Sequence, residues 1–352
     1  MRSVLAVDGG NSKTDVALIA EDGRLLAAVR GPTSSHQAAG LGPGMERLAG
    51  MVAEAVATAA PDALPDLAVY TVAGADTPAD VRALRAALGE RGFARENLVL
   101  NDAFGALRAG TDRTWGVVVI CGAGVNAAGV APNGRSVRLD ALGEYSGDWG
   151  GGNDVGWEGL AAAVRARDGR GPRTRLERDV PAHFELRTPA AVTSAMYTGR
   201  ISSKRIGELS PVVFAAAAAG DRAARRIVDR LADEVIVMAG AMIRRLHLTR
   251  RDPDVVLGGG VFRTRESGFW DRIREGVADI APAARLVPLT APPVAGAALL
   301  GLDRLAGGAV SLPVAAAVRA AIGAWDAEAQ RMVSAPSPAR SRASSARSGK
   351  PA

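Results

Sequence analysis

Two glycine-rich segments are the places where this sequence could hold phosphate: Asp8-Gly9-Gly10-Asn11-Ser12-Lys13-Thr14 and Cys121-Gly122-Ala123-Gly124-Val125-Asn126. Each follows an apolar run, Val4–Val7 or Val117–Ile120, and precedes another. A tight turn of small residues exposes backbone N–H groups that cradle phosphate oxygens. Two such turns on opposing domains could grip a nucleoside triphosphate from both sides. Asp8 then sits where a Mg²⁺ ion is needed, held through water because Mg²⁺ keeps much of its hydration, and Ser12, Lys13 and Thr14 supply donors beside it. A third run, Gly258-Gly259-Gly260, follows the apolar Val255–Leu257 and would let backbone pass close to a planar ring such as adenine. Asn101-Asp102-Ala103 ends another apolar run, Leu98–Leu100, and opens a helical segment. Asp102 is thus a candidate general base for a hydroxyl nucleophile; the competing reading is an aspartate that caps the helix.

The elements that would position these residues repeat. After Asp8–Thr14 come a strand (Asp15–Ala20), a turn (Glu21-Asp22-Gly23) and a strand (Leu25–Val29). After Cys121–Asn126 come Ala127–Ala131, the turn Asn133-Gly134 and Ser136–Leu139. Consecutive hairpins are the expectation, and recurrence at nearly the same spacing predicts two related domains facing each other. Gly122-x-Gly124-x-x-Ala127 with Asp140 loosely fits a dinucleotide fingerprint. That motif needs a helix directly after the glycines, and the stretch to Gly134 is too short and too punctuated for one. No GxxxxGK[ST] occurs. Further on, Asp221–Arg245 has the apolar spacing of a long amphipathic helix, and Val294–Leu305 and Pro313–Gln330 read as two more.

Composition narrows the classes. Among 352 residues 48% are hydrophobic and 23% charged, enough for a large core, and no window offers the ~18 uninterrupted apolar residues of a membrane span. The short apolar run at the start ends at Asp8, which reads as a strand rather than a signal peptide, so a cytoplasmic protein without a membrane partner is expected. Cys121 is the single cysteine, which excludes an intramolecular disulfide and a cysteine-rich metal site within one chain. From Arg331 onward there are five basic residues and no acid; removing those five from the net charge of +6 leaves about +1 for the rest. The basic character therefore describes a tail, expected to be disordered over residues 331–352, and no nucleic-acid partner is expected.

These motifs, in this order, resemble those of the actin-like ATPase superfamily, and within it the N-acetylglucosamine kinases of the BadF/BadG/BcrA/BcrD ATPase type. Asp8–Thr14 is similar to the superfamily's first phosphate motif, Cys121–Asn126 to its second and Leu257–Val261 to its adenosine motif. The resemblance spans about residues 1–305. It implies an α/β, two-domain actin-like (ribonuclease H-like) fold with duplicated mixed sheets flanked by helices. The domains expected are residues 1–113, with the first hairpin and Asp102, and 114–330, with the second hairpin, a sugar loop and the adenosine motif. It implies ATP and Mg²⁺ as cofactors and a small sugar as substrate, phosphorylated with Asp102 as base.

Gly147-Asp148-Trp149-Gly150-Gly151-Gly152-Asn153-Asp154-Val155-Gly156 resembles the family's Gly-Gly-Trp-Gly…Gly-Asp-Glu-Gly segment, which implies that Asp154 binds sugar hydroxyls, with Asp148 an extra acid beside it and Asn126 a second ligand. Ala73-Gly74-Ala75-Asp76 resembles a Ser-Gly-Gly-Asp loop without its serine, and Ser34-Ser35-His36-Gln37 a loop beside the sugar, which adds Ala73, Gly74, His36 and Gln37 to the substrate set. N-acetylglucosamine is the substrate implied, with glucosamine, glucose or a non-catalytic ATPase regulator as alternatives. The family habit also implies a homodimer, with Phe184–Arg205 a candidate surface. The absence of a second cysteine sets this chain apart from the dehydratase activators and from the zinc-bearing glucokinases.

Overall fold

The structure, a computed structural model, describes residues 1–59 and 64–334. Its ten strands are β1 (Ser3–Gly9), β2 (Lys13–Ala20), β3 (Leu25–Pro32), β4 (Leu67–Val72), β5 (Glu96–Asn101), β6 (Gly116–Cys121), β7 (Val125–Val130), β8 (Ser136–Arg138), β9 (Asp254–Gly258) and β10 (Arg285–Pro288). They make two mixed sheets, ordered β3-β2-β1-β4-β5 and β10-β9-β6-β7-β8. In each, the first three strands in sequence are antiparallel and the last two add in parallel. Reading β6 for β1 turns one list into the other, so the repeat legible in the sequence is a duplicated topology.

Why the central strands read as unbroken apolar runs follows from their cover. Leu5 and Val7 face a core shared with the helices Leu41–Ala59 and Pro78–Gly89, whereas Val4 and Ala6 face Val294, Leu299 and Val318 on the other side. Likewise Val117 and Val119 pack on the long helix Arg222–Arg245, and Val118 packs on Ala106 and Leu107. A strand buried on both faces has no need of alternation.

Two helices run between the sheets. Asp102–Gly110 lies against the second sheet and Pro293–Ala306 against the first. They cross where a Cβ on Gly296 would stand 1.8 Å from the carbonyl oxygen of Gly105. Only backbone fits there. Gly296→Val is expected to destabilise by about 1–3 kcal/mol or more, through overpacking that no rotamer relieves, read as a lowered midpoint in denaturant titration; an unchanged midpoint would mean the helices part without cost.

The packing departs from chain order. Pro293–Ala306, which falls within the expected second domain, covers the first sheet, and Leu312–Ser334 packs back on the first domain beside it, because the sheet's outer face (Val4, Ala6, Ala17, Ile19) would otherwise meet water. The last helix also continues through Arg331–Ser334, where the tail was expected to begin. The remainder of that expected tail, 335–352, lies outside the described residues. No helix among the described residues is long and apolar enough to cross a membrane.

Candidate functional site

The first phosphate hairpin joins β1 to β2. Gly10 N–H donates to the Lys13 carbonyl at 3.0 Å, and Asn11 and Ser12 stand exposed at the tip. The register places Asp8 directly opposite Asp15. Asp15 is fully buried and held by Arg30 through bonds of 2.6 and 2.8 Å, with the Lys13 ammonium as a second partner. Arg30 in turn reaches Asp326 on the last helix at 2.5 Å. Burial, and then the negative charges of Asp15 and Asp102, push the Asp8 carboxyl up to about 8, against the opposing pull of Lys13 and Arg30. Thr14 does not face the cleft. It is fully buried and its hydroxyl lies 2.8 Å from Ser34 Oγ, so it fastens the hairpin to the neighbouring loop rather than presenting a donor.

The second hairpin joins β6 to β7, and a strand, not a helix, follows its glycines. Its carbonyls are taken up behind it. Gly152 and Asn153 donate their N–H groups to Gly122 and Ala123 at 2.7 and 3.0 Å. These donors belong to the first turn of the helix Gly151–Arg167, where a helix has unpartnered N–H groups. Ala123 and Gly124 are left exposed at the tip. The Cys121 thiol is fully buried and pushed up to about 12 by that burial, so it is no nucleophile. The third glycine run closes against this hairpin. Gly259 has φ 108°, and a Cβ there would stand 2.3 Å from the Cys121 carbonyl oxygen.

Gly260 borders two cavities. One, of about 430 Å³, is an apolar slot between Pro211, Phe214 and Val261. The other, of about 290 Å³, runs past Thr290 and Asp326 to Lys13 of the first hairpin. A flat ring and a charged chain are thus offered separate spaces that meet at the third glycine run.

At the opposite end a chain of side chains crosses between the sheets. Asn101, not Asp102, caps the helix Asp102–Gly110, its Oδ1 accepting from Ala103 N–H at 3.1 Å, which leaves Asp102 as the first helical residue. The same Oδ1 accepts from Asn126 Nδ2 at 3.1 Å, and Asn101 Nδ2 donates to Asp76 Oδ1 at 3.0 Å. Gln37 Nε2 donates to the other Asp76 oxygen at 3.0 Å. Arg138, from β8 of the second sheet, donates to the Asp76 carbonyl and lies 3.6 Å from Oδ1. Burial, and then the charge of Asp76, push Asp102 up to about 6; the Ala103 amide and Arg138 oppose the rise. Of the five buried side-chain atoms without a hydrogen-bond partner among the described residues, Asn126 Oδ1 and His36 Nδ1 belong to this cluster. Buried polar atoms are almost always bonded, so both fit a ligand that donates hydrogen bonds.

The structure therefore brings Asp8, Asp102, Asn126, His36, Gln37 and the Ala73–Gly74 loop to one end of the cleft, with Gly74 against the His36 and Gln37 side chains. Asp154 lies in the first turn of the helix Gly151–Arg167, packed behind the second hairpin, and its Oδ2 accepts from Gly150 N–H at 2.7 Å. Asp148 is different: its Oδ2 accepts from Ser146 Oγ at 2.5 Å and Gly143 N–H at 3.1 Å, closing its own loop. Sequence reasoning quoted Asp76 and Asn101 within their motifs without giving either a role, and it passed over Asp15 and Arg138. Counting across the first hairpin finds Asp15, and Asn101 adjoins Asp102. Arg138 carries no local signal.

A model of the BadF/BadG/BcrA/BcrD ATPase family matches residues 5–301. The chain belongs to that family. The chain is similar to the N-acetylmuramic acid/N-acetylglucosamine kinase of Clostridium acetobutylicum, 28% identical over 74% of this chain and 86% of the relative. The N-acetyl-D-glucosamine kinase of Dictyostelium discoideum is 27% identical over 85% and 97%. A crystal structure from Chromobacterium violaceum, of a protein put forward as an N-acetylglucosamine kinase, superposes with a TM-score of 0.65, 22% identity and coverage of 85% and 99%. That likeness shows the fold: the family architecture is the two-sheet, actin-like arrangement expected from the sequence.

Proposed function

We propose that this protein transfers the γ-phosphoryl group of ATP to the 6-hydroxyl of N-acetylglucosamine. The observation that carries the reading is the convergence of a raised carboxyl, Asp102, with the unpartnered Asn126 Oδ1 beside a cleft walled by two phosphate hairpins. The family's ATPase description and the two kinase relatives point the same way. In this reading the sugar lies across Asn126 and the His36–Gln37 loop. As its O6 attacks the γ-phosphorus, the O6 proton passes to Asp102, the bond from the γ-phosphorus to the β,γ-bridging oxygen breaks, and ADP leaves. Backbone N–H groups at the exposed tips, Asn11 and Ser12 on one hairpin and Ala123 and Gly124 on the other, take the phosphates, and the slot beside Gly260 takes the adenine.

Asp8 is the carboxylate suited to Mg²⁺. Its crowding by Asp15 and Asp102 is relieved by a divalent cation. Among the described residues no group of three or more His, Cys, Asp or Glu could hold an ion alone, consistent with a site completed by water and phosphate. Bound there, the ion would neutralise charge building on the phosphoryl oxygens. We further propose that the enzyme works in the cytoplasm, where ATP is made, and as a homodimer through the 184–205 region, where Tyr197 is 92% exposed.

A coupled assay of ADP release over a panel of hexoses and amino hexoses tests the reading. Turnover is expected to depend on sugar and to favour N-acetylglucosamine. ATP hydrolysis that no sugar accelerates would sink it and favour an ATPase regulator instead.

A further inference from the structure

The helices Gly151–Arg167 and Arg222–Arg245 leave a trench of about 280 Å³ between them. It shares no residue with the two cavities beside Gly260. Small side chains make the space: Ala162 on one helix and Ala223 on the other line it together with Ile227. Glu158 and Arg165 on the first helix, and Arg226 and Arg230 on the second, recur at helical spacing and so reach the same trench. Arg230 is held in place. Its Cζ lies 3.7 Å from the centroid of the Trp149 ring, and its Nη1 donates to Glu158 Oε1 at 3.2 Å. Arg165 gives Nη2 to the Arg170 carbonyl at 3.1 Å. Arg226 makes no ion pair, hydrogen bond or ring contact with any described residue. Three guanidinium groups thus meet one carboxylate beside an indole ring.

An excess of two positive charges in a concave, partly apolar space suits a small dianion. We infer that the trench is a regulatory site for the phosphate monoester of a small sugar, the chemical class of the reaction's product, bound apart from the cleft. A phosphate monoester carries about −1.5 to −2 near neutral pH, and a guanidinium group matches its oxygens in pairs. Arg230, stacked and paired, is a donor already in position, and Arg226 is a donor with nothing else to bind. The volume lies at the small end of ligand pockets, which fits a monosaccharide better than a nucleotide. Trp149 and the alanines offer carbon to the C–H groups of the sugar ring. Only the choice of sugar rests on the kinase reading above; the charge and shape of the trench do not.

A short path ties the trench to the cleft. Trp149 is followed by Gly150, where a Cβ would stand 2.8 Å from Val125 of β7. Beyond it, the N–H groups of Gly152 and Asn153 hold the carbonyls of Gly122 and Ala123 in the second hairpin. A ligand that bridges the two helices beside Trp149 stiffens the segment behind that hairpin. A cleft that must open to release ADP turns over more slowly when one wall is stiffened, so the occupant lowers kcat without entering the cleft.

The test is calorimetric titration of the full chain with N-acetylglucosamine 6-phosphate while the β,γ-imido analogue of ATP and saturating N-acetylglucosamine fill the cleft. One further site per chain is expected. It should take the sugar phosphate about tenfold or more tighter than inorganic phosphate, the worth of burying roughly two methylene-sized groups. Arg165→Gln/Arg226→Gln is expected to weaken that site about 10–100-fold, the range for losing hydrogen bonds to a charged group. Its kcat and KM measured without product should stay within about twofold of the wild type. In steady state with both substrates saturating, the sugar phosphate should lower the wild-type kcat about twofold or more, and the double variant should escape.

No uptake once the cleft is filled would overturn the inference, and so would inorganic phosphate binding as tightly as the sugar ester. Binding that survives in the double variant, or that leaves kcat untouched, would overturn it as well. Should no sugar be turned over at all, the kinase reading itself fails, and the titration still reads the trench. Uptake that is lost in the double variant then supports the site, and uptake that is kept overturns it.

Discussion

Asp102→Asn is expected to lower kcat by about 10²–10⁴-fold, the usual contribution of a positioned general base, while ATP and sugar still bind. The amide keeps the volume and the helix start, because Asn101 is the residue that caps the helix. What it loses is the capacity to take the O6 proton. The pH dependence follows from the sign of the shift. Asp102 is raised to about 6, first by burial and then by the charge of Asp76; a base works only when deprotonated, so kcat/KM should fall as pH drops through about 6. Asp76→Asn removes one cause of the rise and should move that limb to lower pH. An Asp102→Asn enzyme with more than a tenth of the wild-type rate, or an unaltered limb in Asp76→Asn, would count against the assignment.

Asp8→Asn should separate activity from stability. Its carboxyl, ordinarily near 3.8, is pushed up to about 8 in the folded protein. The folded state therefore retains a proton that the unfolded chain gives up. That contribution is complete below about pH 4, declines as pH rises and is gone above about 8. Asparagine removes the decline. The metal-free melting temperature at pH 8.5 is expected to match or exceed the wild type, while kcat/KM for Mg·ATP falls about 10²-fold or more with the loss of the carboxylate that would hold the ion. A variant that melts lower and keeps normal Mg²⁺ dependence would show that Asp8 serves the fold.

The parts of this architecture that could be read from residues are the local ones. Each phosphate hairpin is written in a dozen consecutive positions, and the Asn101-Asp102 pair marks a strand end and a helix start at once. The second level was less accessible. Thr14 and Asp148 have the right chemistry in the right segments, yet hydrogen bonds to Ser34, Ser146 and Gly143 direct them elsewhere. Asp15 could be reached by counting register; Arg138 could not, because its meeting with Asp76 depends on how one sheet is set against the other. The last two helices show the same limit. Their apolar faces are plain in the sequence, but which sheet they cover is decided by which face lacks a partner.

The duplicated topology carries a further implication. In the matched registers, the second pair from the turn is Asp8 opposite Asp15 in one copy and Ile120 opposite Asn126 in the other. A perfectly two-fold scaffold would accept a nucleotide equally well in either direction, and two facing acids would repel the same phosphates. Leaving one copy charged and the other neutral gives the cleft a polarity, so the triphosphate has one end at which a cation is favoured. Divergence between the two ancestral halves, rather than the halves themselves, is then what makes a reaction with a defined donor and acceptor side possible. Ile120→Asp should blur that direction, weakening nucleotide binding.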